Sequence, residues 1–206
     1  MSELCASDLV VLPGQGEKTA SDMHIIFRTE KLGGHFSIME GEVRPNEILS
    51  FHTHANEDQH MYIINGELHF EINGADGIRF TAGPGSHVLK PRGTSHGFWN
   101  LGSETVHYVE TSTQDGFEKF VDGRADGLGA MIEAATSDLG MTFETSRTLE
   151  VMKEFELTGL AGANMPSPKE LLKNGDFLKL MKNNPEMREF FLYMGGAKLE
   201  ELISKL

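Results

Sequence analysis

The chain of 206 residues is poor in cysteine and in positive charge, and each shortage excludes a class of protein. Its single cysteine, Cys5, cannot form a disulfide within the chain, so the fold does not depend on oxidation. Lys and Arg number 18 against 31 Asp and Glu, which gives a formal net charge of −13. Nucleic acid phosphates and anionic lipids repel such a chain, so we expect neither as a partner.

Long apolar runs are also missing. None approaches a length of about 20 residues, which a transmembrane helix requires. The first residues include the acidic Glu3 and lack the basic start and apolar core of a signal peptide. We therefore expect a cytoplasmic protein with no membrane partner.

The chain changes character near residue 115. Before it, short β-rich runs alternate with turn residues, and Asn65-Gly66 between two such runs is a strong hairpin signal. Many short strands of this kind predict a sandwich or barrel. We therefore predict a mainly β fold, with a barrel over residues 1–115 and a helical extension over residues 116–206.

Helix signals fill the second part of the chain. Leu128–Thr136 and Ser146–Leu157 have mixed apolar spacing, Pro168 and Pro185 follow capping residues, and Gly195-Gly196 predicts a helix end. We expect this extension to pack on the barrel or on a partner subunit.

The nine histidines all lie at or before residue 107. His52 and His54 alternate with Thr53 on a predicted strand, so both side chains point to one face. His96 follows the turn Pro91-Arg92-Gly93 on a returning strand. Because imidazoles bind transition metals, we predict that His52, His54 and His96 are metal ligands. The other six need no special role: His24, His35, His60, His69, His87 and His107.

These positions resemble the cupin superfamily. Residues 85–100 match every fixed position of its second motif, Gly-x5-Pro-x-Gly-x2-His-x3-Asn, and the pair at 52 and 54 with Gly66 resembles the first. Residues 34–41 and 116–120 are similar to the single-domain quercetin dioxygenase-like cupins, the monocupins. The resemblance implies a double-stranded β-helix (a jelly-roll barrel), one metal ion, O₂ as a substrate and a homodimer.

One position departs from the family pattern. The fourth ligand is expected to be Glu with six residues between it and Gly66, but the chain has Gln59 at that position. Asp58 is the alternative ligand, since it satisfies the shorter gap after the histidines, although seven residues rather than six separate it from Gly66. With Gln59, an ion held by neutral ligands keeps a charge near +2 and favours an anionic, chelating substrate. Glutamine cannot act as a base, so His107 is the candidate base.

Strand alternation predicts the walls of the pocket. His69 should point outward, because Leu68, Phe70 and Ile72 alternate with it as an apolar inner face. Trp99 should face outward or into an interface, and Ile48 should point inward. We predict the following substrate-pocket residues, which would suit a small hydrophobic or aromatic substrate: Phe36, Ile38, Ser50, Met61 and Phe98.

Three functions agree with these features. The leading hypothesis is a metal-dependent dioxygenase that acts on an enolisable or phenolic small molecule, with Fe as the first metal and Ni, Zn, Co, Cu or Mn as alternatives. The second is a redox-neutral isomerase, lyase or cyclase that uses the metal as a Lewis acid. The third is a non-catalytic cupin that binds a small molecule.

Overall fold

The computed structural model of the chain describes residues 5–19, 21–122, 140–162 and 168–203. Its strands, numbered in chain order, are β1 Glu17–Lys18, β2 His24–Phe27, β3 Phe36–Val43, β4 Glu47–His54, β5 Gln59–Ile63, β6 Leu68–Ile72, β7 Ile78–Ala82, β8 His87–Lys90, β9 His96–Trp99, β10 Val106–Thr113, β11 Met141–Phe143 and β12 Gly159–Leu160. The helices are α1 Ala6–Leu9, α2 Gly116–Asp122, α3 Thr145–Glu154, α4 Pro168–Leu171, α5 Gly175–Asn183 and α6 Pro185–Ile203, and Thr29–Leu32 forms a 3₁₀ turn. Within the described residues, no helix has the length and apolarity that a membrane span requires.

Two antiparallel sheets form the β region. The first has the strand order β1-β2-β3-β10-β5-β8, and the second has the order β11-β4-β9-β6-β7, with β12 parallel to β4. The hairpin predicted at Asn65-Gly66 is wrong, because β5 lies in the first sheet and β6 in the second, so the turn connects the two sheets. Gly66 in this turn adopts a φ of 69°, in the left-handed region that favours glycine. The mainly β prediction, a double-stranded β-helix followed by C-terminal helices, is confirmed.

Inward-facing apolar side chains of both sheets share one core. On β5, Met61 and Ile63 alternate with exposed or half-buried residues, as a strand with one buried face requires. The fully buried members of this core from both sheets include Met39, Val43, Met61, Ile63, Leu68, Phe70 and Phe98.

The helices cover the outer face of the second sheet. Trp99, Ile48 and Phe51 point to that face and join a second apolar cluster with residues of α3, α5 and α6. The ring of Trp99 packs 5.1 Å from that of Phe155, so its outward direction is confirmed, and the helices bury it. The division of the chain at residue 115 stays a prediction, and residues beyond it supply β11 and β12, which pair with β4.

A bulge in β4 decides which of its side chains enter the barrel. Opposite β9, Leu49 pairs with Phe98 and His52 pairs with His96. These two inward residues of β4 are three positions apart, whereas regular alternation requires an even spacing. The prediction that Ile48 points inward is therefore wrong, because on the other side of the bulge the alternation is reversed and Ile48 joins the outer cluster.

Of two predicted boundaries of α6, the structure confirms the start and contradicts the end. The start at Pro185 is confirmed, since α6 begins there and the Asn184 side chain accepts a hydrogen bond of 3.1 Å from the Met187 N–H. The helix end predicted at Gly195-Gly196 is wrong, because α6 continues to Ile203. A glycine inside a helix costs only about 1 kcal/mol relative to alanine, which the burial of apolar residues along α6 offsets. The helix predicted at Leu128–Thr136 lies outside the described residues.

Candidate metal centre

Three buried histidines converge inside the barrel. His52 and His96 are register partners on β4 and β9, and His54 ends β4 on the same face as His52. One ring nitrogen from each lies within 4.8 Å of the others. The structure therefore brings together the three histidines that the sequence predicts as metal ligands.

The turn before β9 sets the position of His96. Gly93, with a φ of 70°, donates its backbone N–H to the His54 carbonyl over 2.7 Å. Arg92, its neighbour in the turn, forms an ion pair with Asp58, which lies in the loop after β4. The chain that carries the third histidine is thus anchored to the strand and loop that carry the other two.

Each histidine is oriented through its Nδ1 atom. His52 bonds the Ser50 carbonyl at 2.7 Å, and His96 bonds the Thr94 carbonyl at 3.0 Å. Because a carbonyl oxygen only accepts, both Nδ1 atoms carry the proton. His54 Nδ1 lies 2.9 Å from Oε2 of Glu57. Such partners fix the tautomer of a ligating histidine, so that its other ring nitrogen presents a lone pair to the metal.

The electrostatics of the site keep the imidazoles of His54 and His96 neutral. Burial, with a contribution from the positive charge of Lys90, lowers the pKa of His54 to about 3. The pKa of His96 is also lowered, chiefly by burial and then by His52. Burial raises the pKa of Glu57 to about 7, against the hydrogen bonds from the backbone N–H groups of Phe117 and Gly116. Neutral imidazoles are the form that binds metal ions.

The chemistry of these donors fits a divalent transition metal. The Nε2 atoms of His54 and His96 are buried and have no hydrogen-bond partner among the described residues. Their Nδ1 atoms are engaged, so each Nε2 offers a lone pair to the interior. Buried polar atoms without a partner are uncommon in proteins, and a shared metal ion accounts for both.

Gln59 and Asp58 point to opposite sides of the strand. Gln59 is 1% exposed and shares the inner face with Met61. Neither atom of its amide has a hydrogen-bond partner within the described part of the chain. Asp58 is 40% exposed and pairs with Arg92, which lowers its pKa. Of the two alternatives, the inward one is Gln59, and its role as a ligand stays a prediction.

His107 does not point into the barrel, where a catalytic base would have to lie. It is exposed on β10, between the buried Val106 and Tyr108, so it points away from the barrel interior. The prediction that it is the candidate base is therefore wrong, because alternation along β10 gives the inner face to its neighbours. His69 faces outward as predicted, and its ring lies 6.0 Å from that of Trp99.

The predicted pocket residues divide into three groups. Met61 and Phe98 point inward and are fully buried in the barrel core. Phe36 and Ile38 are half-buried on the outer face of β3, so their assignment is wrong: Ser37 and Met39 take the inner positions. Ser50 lies in the bulge of β4 and contacts the site through its carbonyl rather than by regular alternation.

Sequence reasoning missed several residues at the site. Glu57 holds His54 from the loop between β4 and β5. Phe117 and Phe143 pack against the ligands, 5.5 Å from the ring of His54 and 5.7 Å from that of His52. Lys90 and Glu110 form a buried ion pair of 2.8 Å in the barrel. Glu57 could have been recognised in the sequence, because it lies only three residues after His54. The other residues reach the site through contacts between segments that are distant along the chain.

The comparisons with known proteins agree with the fold. Residues 39–112 match the family model described as the cupin domain, and the match supports the cupin superfamily for the β region. No match to a curated protein was found.

Solved structures with similar barrels come from several bacteria. A predicted oxalate decarboxylase of Thermotoga maritima is 21% identical over 45% of this chain and 78% of its own, with a TM-score of 0.39. A putative sugar phosphate isomerase of Acidithiobacillus ferrooxidans is 18% identical over 54% of this chain and 74% of its own, with a TM-score of 0.40. An uncharacterised double-stranded β-helix protein of Klebsiella pneumoniae is 18% identical over 69% and 97%, with a TM-score of 0.41.

Proposed function

We propose that the protein is a metal-dependent dioxygenase that acts on an enolisable or phenolic small molecule bound as a chelated anion. The convergence of three buried imidazoles, in a group that includes no carboxylate among the described residues, carries this proposal. An ion in such a site keeps its charge near +2 and attracts an anionic substrate more strongly than an ion with a carboxylate ligand.

The residues of the site have distinct roles in this proposal. His52, His54 and His96 would hold the ion through Nε2, with Gln59 as a neutral fourth donor. When bound, the metal, with iron(II) as the first choice, would supply Lewis acidity and a path for electrons from the substrate to O₂. Glu57 keeps His54 in the tautomer that binds the metal, through the hydrogen bond to Nδ1.

Aromatic side chains favour a substrate with an apolar part. Phe143 stacks on the ring of His52, and Phe117 meets the ring of His54 edge-on. Phe98 is buried on the same strand as His96. These rings exclude water from one side of the site and offer a surface on which a phenol or enol can pack.

Metal analysis joined to an oxygen-uptake screen tests the proposal. The purified protein should contain one transition metal per chain and should consume O₂ with a flavonol or a β-diketone. Both properties should disappear in His96→Ala. Turnover that is unchanged under strict anaerobiosis would contradict the dioxygenase assignment.

A redox-neutral isomerase, lyase or cyclase is the second candidate. The observation that favours it is the buried Lys90–Glu110 pair, since an ammonium and a carboxylate inside the barrel are groups that can exchange protons with a substrate. Gln59 lacks that ability. Turnover without O₂, together with incorporation of deuterium from D₂O into the product, would support this candidate over the first.

A further inference from the structure

Polar side chains line the inner face of the first sheet, opposite the histidines. Ser37, Ser112, Gln59 and Lys90 are register neighbours on β3, β10, β5 and β8, in that order, so they form one row across the sheet. Glu110 lies one inward position along β10 from Ser112. All five are buried. We call these five residues the polar wall.

Many polar atoms of the polar wall lack a hydrogen-bond partner in the described part of the chain. Both serine hydroxyls, both atoms of the Gln59 amide and Oε1 of Glu110 are buried without a hydrogen bond to any described residue. Leaving such atoms unpaired is costly, so a buried row of them is typical of a surface that a polar ligand or ordered water satisfies. The wall lies in the same barrel as the metal centre and was not part of the predicted pocket.

Lys90 brings a positive charge towards the metal centre. Its ammonium donates one hydrogen bond of 2.8 Å, to Oε2 of Glu110, and an ammonium has three N–H groups. The same nitrogen lies 5.4 Å from the centre of the Phe98 ring, on the strand that carries His96. Lys90 therefore spans the space between the two sheets.

We propose that the polar wall binds a carboxylate of the substrate, with Lys90 as the residue that determines this specificity. The polar wall offers more hydrogen-bond donors than unpaired acceptor atoms. The donors are the remaining N–H groups of Lys90, the amide N–H groups of Gln59 and the two serine hydroxyls, and such a surface recognises an anion. This inference rests on the proposed function, because the metal centre would hold the reacting oxygens of the same molecule.

The stability of the fold alone does not explain the ion pair between Lys90 and Glu110. A buried pair of this kind often stabilises a fold no more than apolar side chains of the same volume. The neighbouring residues Met39, Met61 and Val88 show that apolar side chains fill this part of the barrel readily. A recognition role explains why both charges and the free polar atoms occur together.

Two small β-diketones that differ by one carboxylate provide the test. Cobalt(II)-loaded protein is titrated with 2,4-pentanedione and with 2,4-dioxopentanoate by calorimetry and by the visible cobalt spectrum. The wild type should bind the carboxylate compound about 10-fold more tightly, the effect of one charge-assisted hydrogen bond. In Lys90→Met the ratio of the two affinities should fall by that factor, with the affinity for 2,4-pentanedione and the cobalt content unchanged.

Controls separate recognition from folding and from catalysis. Lys119→Met, at an exposed lysine of α2, should leave the ratio as in the wild type. If Lys90→Met does not fold, the double variant Lys90→Met/Glu110→Leu removes both charges and should show the same loss. An unchanged ratio in these variants, no preference in the wild type, or no binding of either compound would overturn the inference. A preserved preference without any O₂ uptake would count against the dioxygenase proposal alone.

Discussion

His54 and Glu57 are joined by a hydrogen bond of 2.9 Å between Nδ1 and Oε2, and both side chains are buried. The other oxygen of Glu57 accepts the backbone N–H of Phe117 over 2.7 Å. The carboxylate therefore ties a predicted ligand to the start of α2. A glutamine cannot accept both hydrogen bonds, because only one of its two terminal atoms is an acceptor.

We therefore expect Glu57→Gln to lower the affinity for divalent metal by about 10- to 100-fold, the range found for partners of metal-binding histidines. Competitive titration with a chromophoric chelator measures this change. Asp115→Asn is the matched control, because Asp115 is an exposed acid next to α2 that pairs with Lys119. Equal affinities in the two variants would show that Glu57 does not orient His54.

Gln59→Glu should strengthen metal binding, because a carboxylate adds a negative charge where the wild type has a neutral amide. The same change should weaken the binding of an anionic diketone, since the ion then has a lower net charge. Calorimetry with zinc or cobalt measures both. Gln59→Ala should weaken metal binding, and an unchanged affinity in that variant would remove Gln59 from the ligand set.

His96→Ala and His107→Ala form a matched pair of histidine substitutions. The first removes a buried Nε2 donor and should lower metal affinity by about 100-fold or more, at least as much as the loss of an orienting partner. The second changes an exposed residue of β10 and should leave metal content unchanged. Elemental analysis after dialysis distinguishes the two. Loss of metal in both variants would contradict the assignment of the site.

Glu71 links the second sheet to α3 and should make stability depend on acid. Burial raises the pKa of Glu71, but the hydrogen bonds from Arg147 and Arg79 outweigh it and leave the pKa below its ordinary value of 4.5. A lowered pKa means that the stabilisation is complete above pH 4.5 and is lost as the pH falls through the folded-state value.

We therefore expect Glu71→Gln to lower the free energy of unfolding at pH 7 by about 1 to 3 kcal/mol, less than for a fully buried pair because both arginines are partly exposed. Its stability should also change less than that of the wild type below pH 4.5. Urea denaturation at several pH values measures both effects. Glu150→Gln, at an exposed partner of Arg147, should cost less than about 1 kcal/mol and serves as the control.

The sequence predicted features that depend on residues close together along the chain. The pair of histidines on β4 and the turns at Gly66 and Gly93 follow from strand alternation and from the backbone freedom of glycine. Asn100, the last fixed position of the second motif, donates side-chain hydrogen bonds to the carbonyls of Val43 and Glu104.

Strand alternation did not predict which side chains are buried where the register of the strand was unknown or where a bulge interrupted it. On β3 the sequence FSIMEGEV allows either face to be buried, and the structure buries Ser37 and Met39 rather than Phe36 and Ile38. On β4 the bulge reverses the alternation between Leu49 and His52. A bulge depends on pairing with another strand, so a single strand read alone gives no sign of it.

By itself the sequence determined the β fold, the net negative charge and the three histidines that could share a metal, since composition, turns and short-range periodicity specify them. Only the tertiary structure decided what surrounds those histidines. It placed the helices on the outer face of the second sheet and joined Lys90 to Glu110 inside the barrel. The pairing of Glu71 with Arg147 joins residues 76 positions apart. Such contacts depend on how strands and helices pack, because a buried charge requires a partner wherever along the chain the fold can supply one.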